Sequence, residues 1–157
     1  MRRKQVRMAK NNTTSSRNNN GKEDDNLAHE TQVTGAISEL TAAKMLMEDL
    51  GYEVAKPIVP EVYDFLARDP INGNTYRIQV KTLRIRNDRD NALVVYARKG
   101  NGQPYTKEDC DYIIGVDGNR AFMFNCEGLS EYWSTEQTAK KRWIKLGESY
   151  ENKEAVI

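Results

Sequence analysis

A chain of 157 residues has the length of one domain, since domains run to about 100–200 residues. Hydrophobic content of 38% beside 30% charged residues describes a polar globule, and no apolar run approaches the roughly 18 residues that cross a bilayer, which excludes a membrane helix. The net charge of +1 hides an uneven distribution: cations are clustered while acids are spread.

Residues 1 to about 28 hold Asn11-Asn12, Ser15-Ser16 and Asn18-Asn19-Asn20-Gly21 with almost no large apolar side chain, so they read as a disordered head. Its first seventeen residues carry Arg2, Arg3, Lys4, Arg7, Lys10 and Arg17 without an acid, a pattern suited to loose contact with nucleic-acid phosphates or simply to a solubilising tail. The opening Met1-Arg2-Arg3-Lys4 lacks the apolar stretch of a secretory signal. The expected location is therefore a reducing cytoplasm, with Cys110 and Cys126 as thiols.

The folded domain is expected from Gln32 to the end of the chain. Apolar residues at Ile37, Leu40, Ala43, Met47 and Leu50 predict a helix over 34–50, capped by Thr34 and stopped by Gly51, with Glu39 at the edge of the buried stripe. Strands are predicted at 52–58, 62–68, 75–85, 92–97, 111–116 and 121–125. Asn72-Gly73 joins the second and third of these as a type I′ hairpin, and Asp117-Gly118-Asn119 joins the last two. A closing helix is predicted over 135–143 from its alanine, lysine and glutamate content.

Chemistry concentrates on the 75–85 strand. Side chains two apart share a face, so Arg77, Gln79 and Lys81 point one way while Ile78 and Val80 enter the core, and the hairpin sets Asp64 beside them. Two carboxylates, Asp64 and Glu39, with a neighbouring lysine are what metal-assisted phosphodiester hydrolysis uses: Mg²⁺ takes one or two carboxylates and fills its shell with water and substrate oxygens. Lys81 adds a compact charge that can orient water or steady a developing negative charge.

Gly35-Ala36-Ile37-Ser38-Glu39 on the helix, Tyr63-Asp64 on one strand and Gln79-Val80-Lys81 on its partner together resemble the PD-(D/E)xK nuclease superfamily, over residues 34 to 126. The resemblance implies an α/β, restriction-endonuclease-like core with a central mixed β-sheet flanked by helices, and Mg²⁺-dependent cleavage of DNA in which Mn²⁺ can substitute. It implies catalytic roles for Glu39, Asp64, Gln79 and Lys81, with Glu39, Asp64, Gln79 and the Val80 carbonyl on the metal. Tyr63 stands where the motif has proline, and Gln79 where it has its second acid. An amide oxygen ligates a hard cation more weakly than a carboxylate, although phage-like and homing members of the family share the Gln-x-Lys form.

Arg84, Arg86 and Arg89 after the Lys81 strand, and Arg98-Lys99 after the next, join Arg77 as the expected DNA-binding cations. The sole histidine, His29, leaves no histidine-based metal centre or Ser-His-Asp site, and no Gly-x-x-x-x-Gly-Lys loop exists to hold a nucleotide cofactor. The expected partner is duplex or branched DNA, and cutting two strands is simplest for a homodimer with two sites. Gln79 keeps a second possibility open: a catalytically silent DNA-binding or protein-interaction module on the same fold.

Overall fold

The computed structural model describes residues 20–148, with side chains from residue 25. The predicted basic head lies outside the described residues as far as residue 19. Its remainder, expected to be unordered, belongs to helix α1, which spans Asn20–Leu50. Thr34 is accordingly no N-cap, and its hydroxyl donates back to the Glu30 carbonyl at 3.0 Å inside the helix. The C-terminus falls where expected: Gly51 turns left-handed at φ +66°, and the N–H groups of Gly51 and Tyr52 close on the Met47 and Leu46 carbonyls.

Short strands follow at Glu53–Ala55 (β1) and Phe65–Arg68 (β2), then the long β3 at Thr75–Thr82. β2 and β3 pair antiparallel as the Asn72-Gly73 signal predicts, but not through a type I′ turn. Only Gly73 takes positive φ; the Asp69 N–H bonds to the Asn74 carbonyl across a wider loop, and the Asp69 and Asn72 side chains cap the N–H groups of Ile71 and Asn74. The predicted 75–85 strand breaks at Leu83, and Arg84–Arg86 (β4) leaves for a second sheet. Ala92–Tyr96 (β5), Tyr112–Asp117 (β6) and Arg120–Asn125 (β7) lie close to their predicted bounds. Glu131–Ser134 (β8) and Ile144–Leu146 (β9) carry no clear period and went unpredicted, while helix α2 at Glu136–Arg142 starts from a Thr135 cap.

Among the described residues these strands form a six-stranded sheet, β1-β2-β3-β6-β7-β9, and a three-stranded sheet, β4-β5-β8. β3 and β6 are parallel and the other pairs antiparallel, so the main sheet is mixed. One face carries Ile78, Val80, Ile114 and Met123 against Ala42, Met45 and Leu46 of α1. The other carries Ile113, Phe122 and Phe124 against Leu93 and Val95 of the small sheet and Trp143 after α2. The domain is thus helix, mixed sheet and small sheet in layers, with helices flanking the sheet as expected.

α1 does not bury the stripe read from its periodicity. Ile37, Leu40 and Met47 are exposed, while Ser38, Ala42, Met45 and Leu46 face the sheet. Both faces of this helix carry apolar residues, and periodicity alone cannot choose between them.

Candidate active site

The site forms where β2 parts from β3. The Asp64 N–H donates to the Ile78 carbonyl at 2.9 Å, and Asp64 Oδ2 then accepts the Val80 N–H at 2.8 Å, where a continuing strand would have offered a carbonyl. The N–H and C=O of one strand residue face the same neighbour, so the Val80 carbonyl is also turned to this open edge. The Gln79 amide nitrogen approaches that carbonyl at 3.4 Å, and Gln79 itself is buried at 6% exposure.

Glu39 reaches the same place from α1. Asp64 and Glu39 line the same cleft, near enough for the Glu39 charge to raise the Asp64 pKa, and Lys56 Nζ donates to Glu39 Oε2 at 3.0 Å. Burial pushes the Asp64 carboxyl up to about 6; the Val80 N–H pulls down against this, Glu39 pushes further up and Lys81 pulls down. Lys81 Nζ lies 3.4 Å from the Arg98 carbonyl and 5.1 Å from the centre of the Tyr105 ring, held from the small-sheet side. Burial lowers its pKa, outweighing the attraction of Asp64.

The structure therefore brings Glu39, Asp64, Gln79, Val80 and Lys81 together, on one cleft of about 660 Å³ between α1 and the β3 edge. A second cleft of about 320 Å³, lined by Lys56, Pro57, Glu61 and Tyr63, shares Glu39 and Asp64 with it. The two carboxyls form the saddle of a groove. Glu30, Thr34, Ser38, Thr82 and Tyr96 also line the larger cleft, and the sequence gives none of them a role in the site. The α1 residues among them recur every four positions and end at Ser38, next to Glu39, a signal that is legible only once the helix is known to start before residue 34.

Of the cations expected on DNA, most are committed to the fold. Arg77 donates to both Asp111 oxygens at 3.2 Å and to the Lys107 and Glu108 carbonyls, tying β3 to the loop before β6. Arg86 pairs with Asp88 and Tyr96, Arg89 with Glu131, and Lys99 with Asp109. Arg84 and Arg98 are exposed and carry no ion pair among the described residues, and Arg84 lines the cleft. Cys110 and Cys126 are free and buried, as expected of thiols.

No family model matches the sequence, and no curated protein matches it. Among solved structures, a bacterial homing endonuclease, I-Ssp6803I, is similar over 68% of this chain and 78% of that chain, with a TM-score of 0.55 at 22% identity. The fold is homing-endonuclease-like. At that identity the likeness speaks for the architecture, while the chemistry has to come from the groove itself. Among the described residues no three of His, Cys, Asp and Glu converge as a metal cluster, so any cation here would rely on two carboxylates plus neutral oxygens. No described helix is long and apolar enough to cross a membrane.

Proposed function

We propose that this chain is a Mg²⁺-dependent DNA endonuclease of the PD-(D/E)xK type that hydrolyses phosphodiester bonds. The observation that carries the reading is that Asp64 and Glu39 line one open groove together with Lys81. Neighbouring carboxylates repel when both are ionised, and a hard divalent cation relieves that repulsion. The donor set fits such a cation: Asp64, Glu39, the Gln79 amide oxygen and the Val80 carbonyl are all oxygen ligands. Bound there, the cation would polarise a phosphate oxygen and make a nucleophile of water at neutral pH.

The chain's own residues supply the rest. Asp64 must be ionised to serve, and the Val80 N–H fixes its carboxylate in place. Lys81, pinned between the Arg98 carbonyl and the Tyr105 ring, presents its ammonium to the reacting phosphate or the attacking water. Arg84 attracts the backbone along the cleft.

One observation favours a second reading, a silent DNA-binding or protein-interaction module: an amide at Gln79 stands where a third acid would complete the cluster. Incubating the purified protein with supercoiled, linear and branched DNA in Mg²⁺ or Mn²⁺ separates the two. Cleavage is expected from the wild type and a loss of at least about 100-fold from Asp64→Ala and Lys81→Ala. A wild type that binds DNA and leaves every substrate whole sinks the nuclease reading. Gln79→Glu is expected to tighten the metal requirement, and indifference to it would place residue 79 off the metal.

A further inference from the structure

We infer that the outer face of α1 is the docking surface for a second copy of this chain, laid antiparallel along the same helix. Val33, Ile37, Leu40 and Met47 are 43%, 58%, 72% and 51% exposed, and with Lys44 they follow a spacing of four, three, four, three. That is the a/d seam of a two-helix coiled coil. It lies opposite the stripe formed by Ser38, Ala42 and Met45 that packs on the sheet, and nothing among the described residues covers it.

The N-terminal half of α1 needs such a partner. Every residue from 25 to 37 is exposed, and the segment is rich in Asn, Asp, Thr and Gly, poor helix formers that water alone does not hold helical. In an antiparallel pair centred between Ser38 and Glu39, Ile37 meets Leu40 of the other copy, and Leu40 meets its Ile37. Each unsupported half then rests on the half of the other helix that its own sheet braces.

Charge selects the occupant and the direction. A parallel pair in register would set Lys44 against Lys44, a like-charge contact in the seam. The antiparallel pair instead places Lys44 over Val33, one turn from Glu30 of the other copy, twice by symmetry. The surface is self-complementary, which a face built for an unrelated partner has no need to be.

Sedimentation equilibrium of the full chain without DNA tests this, and its outcome does not depend on whether the protein cuts DNA. The wild type is expected at twice the 18.0 kDa chain mass. Leu40→Glu, at an exposed position that leaves the sheet-facing stripe intact, is expected to weaken self-association more than about 100-fold. Circular dichroism should then show the sheet retained and helix content reduced. Lys44→Glu is expected to weaken the pair and the double variant Lys44→Glu with Glu30→Lys to restore it. A monomeric wild type at micromolar concentration, or a Leu40→Glu variant of unchanged mass, overturns the interface. Failure of the double variant to recover overturns the antiparallel register.

Discussion

Asp64 is the residue at which folding and chemistry oppose each other. Its carboxyl stands at about 6 in the fold against 3.8 for the free group, first because it is buried and then because Glu39 adjoins it. The folded state therefore holds this proton more tightly than the unfolded chain. Its stabilising contribution is complete below about pH 4 and is lost as pH rises through 6, so at neutral pH the ionised group costs stability. A carboxyl raised that far corresponds to about 3 kcal/mol, which partial exposure to water reduces to about 1–2 kcal/mol. Asp64→Asn keeps an oxygen for the Val80 N–H while removing the charge. It is expected to melt higher than the wild type at pH 8 in the absence of divalent cations and to match it at pH 4. Thermal denaturation across pH measures this, and a gain from Asp64→Asn that stays constant with pH would show that ionisation is not the cause.

At the scale of elements, the small sheet decides how Lys81 is held, and Gly115 decides how the small sheet is seated. Gly115 pairs with Lys81 across the parallel β3–β6 ladder, and a Cβ there would lie 2.5 Å from Val95 Cγ2 on β5 and 3.4 Å from Leu83 Cβ. Gly115→Ala must displace the Val95 side chain or the β5 strand that carries it, at about 1–3 kcal/mol for overpacking. The Arg98 carbonyl follows β5, so cleavage should fall along with the urea midpoint. Unchanged stability would mean that the layers separate freely. Nothing in the order of residues hints at this contact, because a glycine inside an apolar run reads only as a weak point in a strand. What was legible was local: period two placed Gln79 and Lys81 together on β3, and Gly118, at φ +57° in the first central position, closes the β6–β7 hairpin as its sequence requires. What was not legible depended on distant partners. Which face of α1 meets the sheet, and where β3 ends and β4 departs, are set by packing against residues far along the chain.

Across the whole molecule, charge is arranged so that the groove keeps few cations to itself. Arg77, Arg86, Arg89 and Lys99 neutralise acids within the fold, which leaves Arg84 and Arg98 as the exposed candidates beside the site. A run of arginines in sequence is therefore a poor count of phosphate contacts, since a guanidinium already forked onto a carboxylate gains little by exchanging it. The two classes should separate in DNA binding measured against salt. Each phosphate neutralised on duplex DNA contributes about −0.9 to the slope of log affinity against log salt concentration. Arg84→Ala is expected to flatten that slope by about 1 and to weaken binding alike for all sequences, with the melting temperature unmoved. Arg77→Ala should leave the slope as it is and lower the melting temperature, because it abandons Asp111 and two carbonyls between β3 and β6. Fluorescence anisotropy titrations at several salt concentrations measure both. A slope that Arg84→Ala leaves unchanged would move the DNA path off this cleft, away from Asp64 and Lys81.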